Sequence, residues 1–163
     1  MFPFDILESA TRLVDVMRRK GYKLATAESC TGGLVAGALT SVAGSSDVFE
    51  CGFVTYANAA KVGMIGVDAA LIARYGAVSE EVARAMCEGA LAKAGADLAL
   101  AVTGIAGPGG GSVEKPVGLV YIACTVRGGP TRVQRHAFGD IGREGVRLAS
   151  VRKALTLLEG AAG

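Results

Sequence analysis

The chain has 163 residues, of which 51% are hydrophobic and 20% charged, and its 17 basic and 15 acidic residues leave a net charge of +2. This composition predicts a single domain over residues 1–163 with a substantial hydrophobic core, and it excludes a disordered chain. It also lacks the basic surplus of a nucleic-acid-binding protein. The densest basic run, Arg18-Arg19-Lys20, falls at the end of a predicted helix, where the helix dipole favours cations.

The four cysteines, Cys30, Cys51, Cys87 and Cys124, are irregularly spaced and form no C-x-x-C motif, and His136 is the only histidine. This pattern argues against a zinc site. The N-terminus lacks a basic-then-apolar signal pattern, and no apolar run approaches the roughly 20 residues needed to span a membrane. We therefore expect a cytoplasmic protein with free thiols.

The first half of the chain alternates predicted helices and strands. An amphipathic helix is predicted over about 4–20, because apolar residues recur at helical spacing and Gly21 ends the pattern. A short strand, YKLATAES, follows, and Gly32-Gly33 open a second helix that runs to about Val42. The β-branched and aromatic stretch VFECGFVTYA predicts another strand. A short helical turn, NAAKVGMIG, and a further helical segment, VDAALIARYG, come next.

The second half contains one more long helix, three strands and a closing helix. Ser79 is the predicted N-cap of a helix that Gly95 ends. The apolar run ADLALAVTG is predicted to be a buried central strand, and IAGPGGGSVEKP is a loop by composition. Two strands, VGLVYIACTV and TRVQRHAFG, are joined by RGGP as a hairpin. The last helix carries apolar residues at helical spacing from Leu148 to Leu158, and the final GAAG is expected to fray.

This order of elements predicts the fold class. Strands that alternate with helices favour an α/β domain with helices on both faces of one sheet. Because the hairpin requires at least one antiparallel strand, the sheet is mixed. We therefore expect a three-layer α/β/α fold around a mixed, mostly parallel sheet of about five strands.

The first candidate for chemistry is A-E-S-C-T-G-G, residues 27–33, at a strand-to-helix junction. A hydroxyl there, such as that of Ser29, could attack a carbonyl while nearby main-chain N–H groups receive the oxyanion. The alternative is that Ser29 or Thr31 only caps the helix. Cys30 competes as the nucleophile, but a cysteine enzyme normally needs a base such as histidine, and a buried cysteine is more often a small filler.

A serine nucleophile needs a base, and Lys61 is the candidate. A lysine normally titrates near 10.4, so it acts as a base only where burial or nearby positive charge keeps it neutral. Its apolar neighbours are compatible with such a pocket, and Tyr56 could hydrogen-bond to the serine or to the lysine. The alternative is an ordinary solvated helix lysine.

The stretch TGIAGPGGGSVEKPVG is the strongest local signal. Thr103 and Gly104 end the predicted central strand, and ligands of open α/β sheets lie beyond the carboxyl ends of strands. The glycines let the main chain approach a ligand closely, and Lys115 could meet a phosphate. The alternative is a flexible surface loop, but the embedded Ile105, Ala106 and prolines favour a structured binding loop.

Two other enzyme classes are disfavoured by the motifs. YANAAK is Tyr-x4-Lys rather than the Tyr-x3-Lys of short-chain dehydrogenases, and no G-x-G-x-x-G follows the first strand. GPGGGS lacks the Gly-Lys-Ser/Thr ending of a P-loop. Nicotinamide-dependent redox chemistry and nucleoside triphosphate hydrolysis are therefore not expected.

Five ordered motifs carry a resemblance to a known family: TAESCTGG, GFVTYANAAKVGMIGV, GAVSEEVARAMCEGA, TGIAGPGGGSVEKPVGLVYIA and a closing FGD…R…VR. Over about residues 7–159 the chain resembles the CinA C-terminal domain family, the nicotinamide-nucleotide amidohydrolases. The resemblance implies hydrolysis of nicotinamide mononucleotide to nicotinate mononucleotide and ammonia, in the recycling of pyridine nucleotides. It also implies a mixed five-stranded α/β/α fold, a homodimer or higher oligomer, no metal or organic cofactor, and the stand-alone form without the N-terminal domain of larger members.

The resemblance also assigns roles to residues. It implies Ser29 as the nucleophile, Lys61 as the base and Tyr56 as an orienting residue. The candidate substrate-binding residues lie in the two glycine-containing stretches and near the last helix: Cys30, Thr31, Gly32, Gly33, Thr103, Gly104, Ala106, Gly107, Gly110, Lys115 and Arg143. The oxyanion donors are expected among the N–H groups of residues 30–33 or of the 103–107 turn.

One departure from the family pattern concerns the phosphate contact. Members often read Gly-Asp-Arg after the last strand, whereas this chain reads GDIGREGVR, with Ile141-Gly142 before Arg143. Arg143 is the first candidate for the phosphate contact, and Arg147 is the alternative.

A second hypothesis belongs to a different class of protein. The domain could be a non-catalytic nucleotide-binding or regulatory module, of the competence- or damage-inducible type that the family name suggests. The near-neutral net charge argues against direct DNA contact. Binding of nicotinamide mononucleotide without release of ammonia would favour this module.

Overall fold

The computed structural model describes all 163 residues, which form one sheet covered by helices on both faces. The helices, in chain order, are α1 (Phe4–Lys20), α2 (Leu34–Thr40), α3 (Asn58–Ile65), α4 (Ala69–Tyr75), α5 (Glu80–Ala94) and α6 (Arg143–Ala162). The strands are β1 (Leu24–Glu28), β2 (Phe49–Val54), β3 (Leu98–Gly104), β4 (Leu119–Val126) and β5 (Arg132–Ala137). None of the helices combines the length and the apolar character that crossing a bilayer requires.

The five strands lie in the order β2-β1-β3-β4-β5. The β1–β2 and β1–β3 pairs are parallel, and the β3–β4 and β4–β5 pairs are antiparallel. Only β4 therefore runs against the other strands. The predicted α/β class and the mixed, mostly parallel five-stranded sheet are both confirmed.

The central strand β3 divides the core into two parts. Its larger side chains, among them Leu98 and Leu100, face the cluster formed with α1, α2 and α6. Its alanines, Ala99 and Ala101, face a smaller cluster with α5. Because a strand turns alternate side chains to opposite faces, this alternation of leucine and alanine gives one thick helical layer and one closely packed layer.

Local sequence signals set several boundaries correctly. The Ser79 hydroxyl caps α5 by accepting a hydrogen bond from the Val82 N–H at 3.2 Å, and Gly95 ends the helix in a left-handed conformation. The predicted short turn after β2 is a full helix, α3, so that three helices rather than two separate β2 from β3.

The expectation that the C-terminus frays is wrong. The last helix continues to Ala162, whose side chain is buried against the core. The Lys20 ammonium group donates hydrogen bonds to the carbonyls of Ala162 at 2.5 Å and Gly163 at 2.7 Å. A cation from α1 therefore caps the end of α6, where helix carbonyls lack partners.

A glycine in α5 lets α3 pack closely. A Cβ atom on Gly89 would lie 2.0 Å from the carbonyl oxygen of Ile65, at the end of α3. We expect Gly89→Ala to lower the free energy of unfolding by roughly 1–3 kcal/mol, because the clash is with main chain rather than with a flexible side chain. Urea unfolding followed by circular dichroism measures this change.

Gly63→Ala is the matched control. Gly63 lies in α3, and a Cβ atom there meets nothing within 4 Å. Alanine is the better helix former by up to about 1 kcal/mol, so this variant should be as stable as the wild type or more so. If Gly89→Ala unfolds at the same urea concentration as Gly63→Ala, the close contact between α3 and α5 is not a real constraint.

Candidate active site

The candidate site lies where the three neighbouring strands β1, β2 and β3 end at the same edge of the sheet. Ser29 follows β1, Thr55 and Tyr56 follow β2, and the glycine-rich loop follows β3. A pocket of about 280 Å³ opens at this edge. It is lined by Ser29, Cys30, Tyr56, Asn58, Lys61, Ala77, Val78, Thr103, Gly104, Ile105, Ala106, Gly107, Gly109, Gly110 and Arg143.

Glu28 holds the turn that presents Ser29. Its side chain is fully buried and accepts hydrogen bonds from the N–H groups of Gly33 at 3.1 Å, Val35 at 3.0 Å and Ala36 at 2.9 Å. The carboxylate thus occupies the N-terminus of α2, where N–H groups lack helical partners and the dipole favours negative charge. Gly33 itself has a φ of +96°, a conformation that side chains with a Cβ rarely adopt.

Lys61 projects from α3 into the pocket and contacts Ser29. Its Nζ lies 3.1 Å from the Ser29 Oγ, 2.9 Å from the Thr55 carbonyl oxygen and 3.3 Å from the Tyr56 carbonyl oxygen. The lysine is only 1% exposed and makes no ion pair with a carboxylate. Burial therefore lowers the pKa of its ammonium group, against a weaker raising contribution from Cys30.

The three oxygen neighbours of the Lys61 nitrogen can be bonded by an ammonium group, through three N–H donors, and equally by a neutral amine. Such an amine has two N–H donors and one lone pair. The two main-chain carbonyls accept the two N–H bonds, and the lone pair is then free to accept the hydroxyl proton of Ser29. The arrangement suits a general base next to a nucleophile.

Cys30 is poorly suited to act as the nucleophile. It is 5% exposed, and burial raises the pKa of its thiol to about 11. The thiol therefore stays protonated near neutral pH, and it is a poor nucleophile there because the thiolate is the reactive form. All four cysteines are free. His136, in β5, stacks on Phe138 and does not line the pocket.

Tyr56 and Arg143 meet at the mouth of the pocket. Arg143 donates one hydrogen bond to the Tyr56 hydroxyl at 2.8 Å and another to the Gly107 carbonyl at 2.9 Å. The Tyr56 hydroxyl therefore bonds to Arg143 rather than to Ser29 or Lys61, and only its main-chain carbonyl contacts the lysine. The arginine places a positive charge at the entrance.

The predicted binding residues divide into those that line the pocket and those that support it. Seven of them line it: Cys30, Thr103, Gly104, Ala106, Gly107, Gly110 and Arg143. Three others, Thr31, Gly32 and Gly33, lie in the turn after Ser29 and do not line it.

Lys115 and Arg147 bond to main-chain carbonyls outside the pocket lining. The Lys115 ammonium donates to the Tyr75 carbonyl at 2.5 Å and ties the glycine-rich loop to the end of α4. Arg147 donates to the Cys30 carbonyl at 3.2 Å and to the Thr31 carbonyl at 3.1 Å. Neither lines the pocket, so Arg143 is the arginine placed to meet a ligand there.

Sequence reasoning missed three pocket residues: Asn58, Ala77 and Val78. Asn58 lies between Tyr56 and Lys61, so its place in the YANAAK motif was an available signal. Ala77 and Val78 carried none, since they are apolar residues of a short link between helices. They reach the pocket because the Thr103 hydroxyl, at the end of β3, donates to the Ala77 carbonyl at 2.8 Å.

The fold and the site together define an α/β/α domain with a buried lysine in contact with a half-buried serine at the carboxyl edge of parallel strands. Residues 7–162 match the family model described as the CinA C-terminal domain. The chain is 52% identical to a CinA-like protein of Geobacter sp. (strain M21), with 98% of this chain aligned to 38% of that protein. It is 58% identical to a CinA-like protein of Akkermansia muciniphila, over 72% of this chain and 28% of that protein. The chain belongs to the CinA C-terminal domain family.

Solved structures of similar proteins have the same fold over their whole length. The competence/damage inducible protein CihA from Agrobacterium tumefaciens is 52% identical with a TM-score of 0.97, and the alignment covers 98% of this chain and 97% of that one. A CinA superfamily protein from Escherichia coli is 35% identical with a TM-score of 0.90, at 98% and 92% coverage. The chain spans only about a third of the length of the curated relatives, from 28% to 38%.

The burial of Lys61 should be visible in the pH dependence of stability. The folded state lowers the pKa of this group below its ordinary 10.5, so between the two values the unfolded chain binds more protons. The free energy of unfolding of the wild type, minus that of Lys61→Met, should therefore rise with pH in that window, by up to about 1.4 kcal/mol per pH unit.

Urea unfolding of both proteins across the alkaline range measures this difference. Groups other than Cys30, whose charge interacts with that of Lys61, titrate alike in the two proteins and cancel. Lys93 is exposed to solvent, so Lys93→Met shows how the loss of a surface lysine changes the free energy of unfolding. A difference that stays flat or falls as the pH rises would mean that Lys61 holds its proton as firmly in the folded state as in the unfolded one.

Proposed function

We propose that this domain hydrolyses the carboxamide of nicotinamide mononucleotide to nicotinate mononucleotide and ammonia, and so returns pyridine nucleotides to NAD synthesis. The observation that supports the chemistry is the 3.1 Å contact between the Lys61 amine and the Ser29 hydroxyl inside a pocket. The motifs shared with the nicotinamide-nucleotide amidohydrolases support the choice of substrate.

The first half of the reaction acylates the serine. The neutral Lys61 amine accepts the proton of Ser29 as the serine oxygen attacks the carboxamide carbon. The carbonyl oxygen of the substrate becomes an oxyanion, and the lysine becomes an ammonium group. That ammonium then donates its proton to the amide nitrogen as the C–N bond breaks, which releases ammonia and leaves an ester on Ser29.

The second half regenerates the enzyme. The Lys61 amine, neutral again, takes a proton from a water molecule that attacks the ester carbon. The proton returns to the Ser29 oxygen as the product leaves as its acid, which then ionises in solution. Every proton transfer at the site therefore goes through one nitrogen, and the two carbonyls of residues 55 and 56 hold that nitrogen in place throughout.

The residues that line the pocket suit a nucleotide that carries an aromatic amide. Apolar side chains of Ala77, Val78 and Ile105 lie beside glycine main chain, which offers flat surface for a pyridine ring. Arg143 at the mouth supplies a cation for the phosphate group. The pocket volume of about 280 Å³ lies just below the roughly 300–1,000 Å³ usual for small-molecule sites.

The proposal predicts that Ser29→Ala and Lys61→Met each reduce kcat by more than about 1,000-fold, since nucleophile and base act as a unit. For the same reason the double variant should be no slower than either single variant. Ammonia release from nicotinamide mononucleotide, with the nucleotide product identified by chromatography, measures the effect.

Cys30→Ala is the matched control, because it removes the competing nucleophile next to Ser29. It should retain activity. Complete loss in Cys30→Ala, with Ser29→Ala active, would transfer the reaction to the thiol. Nucleotide binding by the wild type without ammonia release would instead favour the regulatory module.

The rate should also rise with pH on the acidic side of the profile. Activity requires the neutral amine, so kcat/KM should increase as the pH rises through the lowered pKa of Lys61 and then level off. Measurements between about pH 5 and 10 define this limb. A rate that falls with rising pH over the same range would exclude lysine as the base.

A further inference from the structure

The turn after Ser29 leaves two main-chain N–H groups unused. Four of the six N–H groups from Ser29 to Leu34 have acceptors within the chain. The acceptors are the Val102 carbonyl for Ser29, the Ser29 carbonyl for Gly32, the Glu28 carboxylate for Gly33 and the Thr31 carbonyl for Leu34. The N–H groups of Cys30 and Thr31 donate to no atom of the protein.

These two free donors lie in buried residues. Cys30 is 5% exposed and Thr31 is fully buried. A buried N–H group without an acceptor is rare in folded proteins, because it loses its water and gains nothing in return. Both groups also follow directly on the serine that contacts Lys61. Cys30 also lines the pocket, so its N–H group can receive an oxygen from a ligand attached to Ser29, whereas Thr31 does not line the pocket.

Arg147 holds the peptide planes that carry these groups. It donates to the Cys30 carbonyl at 3.2 Å and to the Thr31 carbonyl at 3.1 Å. In a trans peptide the carbonyl and the N–H point in opposite directions. The first contact therefore turns the Thr31 N–H away from Arg147, and the second fixes the plane that contains the Gly32 N–H.

The peptide plane between Ser29 and Cys30 is fixed by the same Gly32 N–H group. It donates to the Ser29 carbonyl at 3.0 Å, which sets the plane carrying the Cys30 N–H. Gly32 has a φ of +60°, and a Cβ atom there would lie 3.5 Å from the Arg147 Nη2. The glycine thus allows the turn, and the arginine keeps it in one conformation.

We propose that the N–H group of Cys30 is a donor of the oxyanion hole of this site, and that Arg147 is the positioning residue that holds the turn in which this group lies. The inference rests on the proposed amide hydrolysis. As Ser29 attacks, the carbonyl oxygen of the substrate gains negative charge and receives a hydrogen bond from the Cys30 N–H group. Arg147 acts through the turn and does not touch the substrate.

The glycine-rich loop offers the rival donors. The N–H groups of Ala106 and Gly107 also lack acceptors within the chain, and both residues line the pocket. Arg143 holds that loop through the Gly107 carbonyl. Arg143 and Arg147 lie one helical turn apart on α6. Arg143 contacts the glycine-rich loop, and Arg147 contacts the turn after Ser29. Variants of each therefore distinguish the two sets of donors.

The experiment compares Arg147→Met, Arg147→Lys, Arg143→Met and Arg152→Met in the full chain. Arg152 lies on the same helix and makes a surface ion pair with Asp5 at 2.6 Å, so it controls for the loss of an α6 arginine. Two quantities are measured: kcat and KM for ammonia release, and the dissociation constant of pyridine-3-boronic acid. A boronic acid bonds to a serine oxygen and places a boron-bound oxygen where the oxyanion forms. Thermal unfolding establishes that each variant is folded.

Arg147→Met should lower kcat by about 10- to 1,000-fold with little change in KM, because the lost interaction forms only in the transition state. It should weaken boronate binding by a similar factor. Arg147→Lys should recover part of the loss, since one ammonium can still bond to a carbonyl. Arg152→Met should match the wild type.

Two results would overturn the inference. One is wild-type kcat and boronate affinity in Arg147→Met. The other is a loss of kcat and boronate affinity in Arg143→Met but not in Arg147→Met, which would assign the oxyanion to the glycine-rich loop. If the wild type releases no ammonia, the proposed function fails, and the boronate affinities alone decide the role of Arg147. A wild type that binds no boronate overturns both.

Discussion

The site depends on one buried amine that has no carboxylate partner. The Lys61 nitrogen bonds only to the Ser29 hydroxyl and to two main-chain carbonyls, and the side chain is almost completely removed from water. Placing a charged ammonium there costs desolvation energy that no ion pair offsets. The protein therefore favours the neutral form of the group, which is the form that can take a proton from the serine. Much of the surrounding architecture serves to hold this nitrogen in place.

Each wall of the pocket is held by a contact from a distant part of the chain. The Ser29 turn is braced from below by Glu28 and from the side by Arg147, while Arg143 braces the glycine-rich loop. Lys61 itself depends on the packing of α3 against Gly89 of α5. Catalytic geometry is demanding to within fractions of an ångström, so such supporting contacts matter as much as the reacting groups.

Local patterns in the sequence correctly predicted helix and strand boundaries that depend on neighbouring residues only. The N-cap at Ser79 and the stop at Gly95 depend on neighbouring residues only, and the structure confirms both. The strand endings at Ser29 and Thr103 follow from apolar runs that stop at polar residues. The sheet class followed from the alternation of strands and helices, because such chains have few ways to bury both faces of a sheet.

The features that the sequence did not predict depend on contacts between residues far apart in the chain. The hydroxyl of Tyr56 is oriented by Arg143, 87 positions later, and the C-terminal helix is capped by Lys20, 142 positions before its carbonyl partner. Residue spacing carries no information about such pairings. The nearness of Ser29 and Lys61 is itself of this kind, because it arises from β1 and β2 lying side by side and ending together. Reasoning from the residues offered Ser29 and Lys61 only as candidates, beside a helix cap and a solvated lysine, and the resemblance to a family favoured the pair.

The central proposal is that burial lowers the pKa of Lys61 and so makes its neutral amine available as the base for Ser29. Its titration can be followed directly by nuclear magnetic resonance on protein labelled with ¹³C at the lysine side chains, with the Lys61→Met spectrum identifying the signal. We predict that this one lysine titrates below its ordinary value of 10.5, as its burial implies. A Lys61 signal that titrates at or above that value would show a permanently charged ammonium beside Ser29, and would contradict the account.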